Sequence, residues 1–144
     1  MKHKTDNLRY RLLLTPEQAY IVSRACELYS RLRLGQLHEL NDDLLLIQSK
    51  DNICERRNTA NELLFKLKEL YFPQLQGLGH SYGVGHDEYA DRSWNVHHAL
   101  RYKMAWTEHP EGGIGVNFDP PWPIMTEPAP PCDTVSLPEN ESGR

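Results

Sequence analysis

Apolar positions recur along this chain with two periods. Leu8, Tyr10, Leu12 and Leu14 alternate with Arg9, Arg11 and Leu13, which predicts a strand with one buried face. The spacing then changes to threes and fours through Ala19, Val22, Ala25, Cys26, Tyr29 and Leu32, the stripe of an amphipathic helix. Thr15-Pro16-Glu17-Gln18 opens that helix, with Thr15 as N-cap, proline at the first helical position and Gln18 placed to close a capping box, and Gly35 ends it. Gln36 to Leu46 reads as a short helix with Leu37 and Leu40 inward, followed by a linker near Ser49 to Asn52. Ile53, Ala60, Leu63, Leu64, Leu67, Leu70 and Tyr71 share the face of a longer helix that Pro73 stops, with Asn58 and Thr59 bending its start.

Residues 74–88, QLQGLGHSYGVGHDE, form a glycine-rich loop with two histidines. A third long helix follows, capped by Asp87 or Asp91 and ended before Pro110 and Gly112-Gly113. Ile114, Val116 and Phe118 alternate again and predict a closing strand. It is expected to pair with residues 8–14, because a lone strand leaves its ladder groups unsatisfied. The fold expected is therefore α+β: a short antiparallel strand pair packed on three main helices in one domain, residues 8–118. Beyond it lies a proline-rich acidic tail, 119–144, extended or partly disordered, in which Trp122 and Ile124 are placed to dock on the core.

Within the third long helix, Val96, Leu100 and Met104 make one apolar ridge and Trp94 with Ala105 another, with His97 and Arg101 projecting between them. A guanidinium there needs a partner, since it cannot deprotonate and its desolvation costs several kcal/mol or more, roughly, if unpaired. Glu39 is the expected internal partner; the anionic part of a ligand is the other.

A chain of 144 residues can bury about two thirds of its unfolded surface in one core. Cys26, Cys54 and Cys132 are odd in number and widely spaced, which fits a reduced compartment and no zinc-knuckle or redox pair. The N-terminal apolar run is too short for a signal peptide or membrane span. Basic and acidic residues balance over residues 1–118, and the net charge of −4 arises in the tail. That argues against a general nucleic-acid binder, which carries a basic surplus. The strip Lys2, Lys4, Arg9 and Arg11 reads as a solvated edge strand.

Five of the seven histidines fall between His80 and His109, so a metal site is one option, built on His80, His86, Asp87 and His97. His86-Asp87 has the form of the dyad of HD-type phosphohydrolases, although no pair here has a recognised ligand spacing. The glycine loop lacks the Lys-Ser/Thr end of a P-loop and follows a helix rather than a strand, which excludes the common nucleotide-hydrolysing motifs. It can still bring backbone N–H groups and a helix N-terminus to an anion. No elbow motif surrounds Ser81 or Ser93, and no catalytic residues are assigned. The binding residues expected are Arg101, His98, Tyr82, Ser81, Gln36 and Trp94, with Arg101 gripping a phosphate or carboxylate and Tyr82 or Trp94 stacking on a flat group.

The stretches RYRLLLTPEQA, CELYSRLRLGQLHEL, SYGVG, WNVHHALRYKMAW and EGGIGVNFDPP, in this order over most of residues 8–121, resemble a family of small, uncharacterised proteins encoded in tailed phages and prophages. The chain departs from that pattern at His97-His98, where the family has Tyr-Gln, and at Lys103, where it has Ala. The resemblance implies a phage-side protein acting in the bacterial host cytoplasm and brings no catalytic residues. The function expected is a non-enzymatic phage accessory binding protein, acting in counter-defence, that sequesters a small anionic nucleotide-type ligand or blocks a host protein. It needs no cofactor, and its apolar surplus points to a homo-oligomer. A metal-dependent phosphohydrolase or nuclease is one alternative, and a virion assembly or structural protein another.

Overall fold

The computed structural model describes residues 8–45, 51–123 and 127–138. Helix α1, Pro16–Arg33, starts on the capping box that the sequence spells. The Gln18 N–H donates to Thr15 Oγ1 at 3.2 Å and the Thr15 N–H donates to Gln18 Oε1 at 3.0 Å, satisfying donors that a helix start otherwise leaves unpaired. At its other end Gly35 adopts φ +87°, and the N–H groups of Gly35 and Gln36 bond back to Leu32 and Arg31 in a Schellman turn. A Cβ on Gly35 would also stand 2.6 Å from Leu75 Cδ1, so conformation and space both require glycine there.

Three more helices follow: α2, Glu39–Leu45; α3, Ile53–Tyr71; and α4, Glu88–Glu108. Asp87 caps α4 by accepting the Ala90 N–H at 2.8 Å, and the two oxygens of Asp87 hold Arg33 of α1 at 2.7 and 2.6 Å. The principal packing is α1 against α4, while α3 packs on α2 alone among the described elements. Lys68 ties α3 to the glycine loop: its ammonium is buried and donates to the carbonyls of Leu78, at 3.1 Å, and His80. Among the described residues, no helix is long and apolar enough to cross a membrane.

The architecture is helical and corrects the α+β expectation. No strand occurs among the described residues. Residues 8–15 run extended without a ladder, with Leu8, Tyr10 and Leu12 exposed, and the expected partner 114–118 is wound at Val116–Phe118 into a single 3-10 turn. The reason lies on α4. Trp106 stacks edge-on against Phe118 with ring centroids 5.5 Å apart, its Nε1–H donates to the Phe118 carbonyl at 3.3 Å, and Arg101 donates to the Val116 carbonyl at 3.3 Å. The carbonyls that a ladder would use are thus taken by helix side chains, and Gly113, packed under the Phe118 ring, leaves no room for a Cβ.

Burial departs from the apolar stripes as well. On α1 the fully buried positions are Ser23 and Ser30, while Tyr29 and Ala25 are exposed. On α4 they are Ala90, Asp91, Asn95, His97 and Ala99, with Val96, Leu100 and Met104 only partly covered. Small serines let the two helices approach closely, and polar α4 groups find partners on α1: Ser93 Oγ donates to the Cys26 carbonyl at 2.7 Å. Leu37, expected inward, is buried.

The described part of the tail runs beside α4. Arg92 pairs with Glu127 at 3.2 Å, Asn95 Nδ2 donates to the Glu127 carbonyl at 3.1 Å, and Lys103 lies 3.6 Å from Asp133. Trp122 is exposed rather than docked, and Ile124 lies outside the described residues, as do Lys2 and Lys4 of the basic strip.

Candidate functional site

A cleft of about 650 Å³ opens between α1, α4 and the 3-10 turn, with α2 at its mouth. That volume falls within the range of small-molecule sites. Its floor and walls include Ser23, Glu27, His97, Arg101 and Phe118, its rim Tyr20, Arg24, Asp42, Asp43, Glu108 and His109.

Arg101 enters it from α4. Its Nη2 donates to the Val116 carbonyl, while its Nε is buried and has no hydrogen-bond partner. Among the described residues no carboxylate comes within ion-pair distance of it. Burial pulls its pKa down, and the nearby charges of Glu27 and Asp119 act in the opposite sense without touching it. The expected partner, Glu39, is engaged elsewhere: it accepts from Arg31 at 3.2 Å.

Glu27 is the hub of the polar seam. Arg24 holds one of its oxygens at 2.7 Å and Arg31 the other at 2.9 Å, and His97 Nε2 stands 3.8 Å away. Burial pushes the Glu27 carboxyl up, but the hydrogen bonds and charges of Arg24 and Arg31 hold it below its ordinary value. Arg24 is shared with Asp43, at 2.7 Å, Arg31 with Glu39 and Arg33 with Asp87, so the three arginines of α1 are paired with carboxylates within the chain and Arg101 is not.

His97 is oriented by α1. Its Nδ1 lies 3.0 Å from the Ser23 carbonyl and 3.0 Å from Ser23 Oγ. A carbonyl only accepts, so Nδ1 carries the proton and Nε2 of the neutral ring presents a lone pair. That Nε2 is buried and unpartnered. Burial lowers the His97 pKa, with Glu27 opposing, which favours the neutral ring. Two buried groups one helical turn apart beneath the cleft thus have no hydrogen-bond partner, the Arg101 Nε–H and His97 Nε2.

Ser23, His97 and Glu27 have the composition of a hydrolytic triad but not its polarity. The imidazole nitrogen next to Ser23 Oγ is the protonated one, bonded to the Ser23 carbonyl, so it cannot take the hydroxyl proton, and Ser23 is itself buried.

The expected ligand residues do not converge. Of Arg101, His98, Tyr82, Ser81, Gln36 and Trp94, only Arg101 lines the cleft. Gln36 Nε2 donates to Ser81 Oγ at 3.2 Å, and Gln36 Oε1 accepts from Arg31 at 2.8 Å, so its polar groups serve the α1–loop junction. Tyr82 is fixed by its N–H on the Leu34 carbonyl at 2.9 Å and its ring stacks on His86 at 3.5 Å. Trp94 lies under the Arg31 guanidinium, 5.3 Å from the ring centre, and beside His98, at 5.0 Å. His98 is partly covered; burial, then the Arg101 charge, push its pKa down to about 4, so its ring is neutral at pH 7.

The metal set does not converge either. Asp87 is held by Arg33, His86 is stacked on Tyr82, His80 Nδ1 bonds to the Gln76 carbonyl, and His97 Nδ1 bonds to Ser23 of α1. Among the described residues no group of three His, Cys, Asp or Glu side chains is placed to hold a metal ion. The glycine loop is not a free anion cradle: the Gly85 N–H donates to both oxygens of the buried Asp91, at 3.1 and 3.2 Å, so the chain's own carboxylates occupy this end of α4.

Sequence reasoning missed Ser23, Glu27, Arg24 and the rim residues Tyr20 and His109. A signal existed on α1, where Arg24, Glu27 and Arg31 repeat at three and four residues on the face that also carries Ser23 and Ser30.

No family model, curated protein or solved structure matches the chain. Its function has to be argued from this geometry and from the resemblance drawn in sequence.

Proposed function

We propose that this chain is a non-enzymatic binding protein whose cleft takes a small anionic ligand of nucleotide type. One observation carries the reading: Arg101, a permanent cation, has a buried Nε–H with no partner and no ion-paired carboxylate, in a cleft large enough for a ligand. A phosphate or carboxylate oxygen on that donor would complete its hydrogen bonding, and charge-assisted bonds of this kind contribute about 1.5 to 3 kcal/mol each.

The rest of the lining refines the ligand. The rim carboxylates of Asp42, Asp43 and Glu108 oppose a bare polyanion. They suit a molecule that brings hydrogen-bond donors of its own next to its anionic group, as a nucleobase does beside a phosphate. The lone pair of His97 Nε2 accepts one such donor, and Tyr20 and Phe118 supply the flat faces that Tyr82 and Trp94 were expected to provide. Together with the phage-family resemblance, this supports sequestration of a nucleotide-derived host defence signal in the bacterial cytoplasm.

Calorimetric titration with a nucleotide panel, with inorganic phosphate as control, tests the reading. Arg101→Ala is expected to weaken binding about tenfold to a hundredfold while α-helical content is retained. A panel without a binder, or unchanged affinity in the variant, would refute it. The other version, a blocker of a host protein, predicts host-protein capture that Arg101→Ala leaves intact.

A further inference from the structure

Residues 127–133, EPAPPCD, lie along the side of α4 turned away from α1. Asn95 and Ala99 mark that side, since each stands about 160° round the helix from His97, which bonds to α1. Both are nearly fully covered, at 3% and 5% exposure. The segment is anchored by charge at its two ends, Arg92 to Glu127 at 3.2 Å and Lys103 to Asp133 at 3.6 Å, and Asn95 Nδ2 donates to the Glu127 carbonyl at 3.1 Å. A polyproline-type chain makes no internal hydrogen bonds, so its carbonyls are free for such a donor. The spans agree as well. Arg92 to Lys103 is about 17 Å of helix at roughly 1.5 Å per residue, and Glu127 to Asp133 is about 19 Å of extended chain at roughly 3.1 Å per residue.

We propose that this side of α4 is a docking seat for an extended, acidic, proline-containing segment of a partner protein, and that residues 127–133 are a displaceable strap that occupies it in the free chain. Three observations point to exchange. First, the strap is held lightly: of its residues only Ala129 and Cys132 are partly covered, and both ion pairs are open to solvent, a class of contact that adds little. Second, the seat reads chemistry that another chain can carry, two acids six residues apart set against Arg92 and Lys103. Third, the strap fits incompletely. Asn95 Oδ1, on the same amide that holds Glu127, is buried without a partner. Pro128, next to Glu127, has no N–H to give it. A partner segment with an N–H at that place satisfies an acceptor that the strap leaves empty, which favours the partner over the strap.

The test uses the full chain and reads Cys132, which is partly covered under the strap, against the exposed Cys54. Alkylation followed by peptide mapping should find Cys132 slower than Cys54 in the unaltered protein. Arg92→Glu combined with Lys103→Glu should raise the Cys132 rate about tenfold while far-UV circular dichroism stays helical. Loss of Lys103 by itself would slow the reaction, because that ammonium favours the thiolate, so a faster rate reads an opened strap. The converse pair, Glu127→Lys with Asp133→Lys, empties the seat and leaves α4 intact. A labelled synthetic peptide of residues 127–138 carrying Cys132→Ser should bind that chain about tenfold or more tighter than the unaltered one, where the strap competes at roughly millimolar effective concentration. If the α4 variant loses its helices, the strap variant and the peptide decide alone. Equal rates for Cys132 and Cys54 in the unaltered protein would overturn the proposal. So would a folded α4 variant with an unchanged Cys132 rate, or a strap variant that does not bind the peptide.

Discussion

The seam between α1 and α4 and the outer face of α3 treat polar and apolar groups in opposite ways. In the seam Ser23, Ser30, Asn95 and His97 are buried, and Glu27 is held between two arginines. On α3, leucines at seam spacing face outward. The seam can bury polar groups because several are bonded across it, His97 to Ser23 and Ser93 to the Cys26 carbonyl. The α3 face stays uncovered because α2 is the one described element that packs on α3. Burial in this protein thus follows which surfaces find a complement, and complementation stops at the Arg101–His97 cleft, where a ligand is proposed, and at the α3 stripe.

The largest expected effect breaks the polar side of this comparison. Glu27→Ala leaves Arg24, Arg31 and Arg101 with less compensating charge in a partly buried setting, and loss of one partner from such a group costs about 3 kcal/mol or more. Urea unfolding should show it; a loss no larger than that of a surface substitution would mean that the seam is not held by its carboxylate. Next, Leu64→Ala, on the covered edge of α3, should cost about 2 to 4 kcal/mol. Leu70→Ala, one face away, should cost less than about 0.5 kcal/mol in dilute solution.

A pH dependence tests the polar side from another direction. His98 has a folded pKa of about 4, and His97 is lowered too, both chiefly by burial. Between about 4 and the ordinary histidine value near 6.5 the unfolded chain binds protons that the folded chain does not. Stability should therefore be complete above that ordinary value and fall as pH drops toward 4. Urea midpoints from pH 7 to 4.5, with the His98 ring titrated by NMR, would show it; a ring that titrates near 6.5 would contradict the buried, neutral assignment.

Much of the helical framework was legible. The Thr15–Gln18 box, Gly35, Asp87 and the stop at Pro73 are local devices whose geometry follows from the residues themselves, so α1, α3 and α4 lie close to where the pattern puts them. The strands were not. Alternation at 8–14 and 114–118 describes side chains, whereas a ladder needs free carbonyls, and α4 had claimed those of Val116 and Phe118 through Arg101 and Trp106. Of the candidate site, Arg101 was legible because a helical wheel places an arginine between apolar ridges. Glu27 and Ser23 were not, because on α1 the polar face looked like the solvent side. Glu39 was assigned to Arg101 by sequence proximity to Gly35, and Arg31, one turn from that glycine, reaches it instead.

By itself the sequence determined where helices begin and end, that Arg101 points inward, and that α3 carries an unbroken apolar stripe, since caps, periodicity and glycine conformation act over a few neighbouring residues. The tertiary structure decided which faces meet. It set serines rather than the apolar stripe of α1 against α4, gave Arg24 and Arg31 carboxylates and withheld one from Arg101, and turned the closing segment into a 3-10 turn. The helix packing and the closing turn depend on residues far apart in sequence, and on competition for the same carbonyls and carboxylates, which no local pattern encodes.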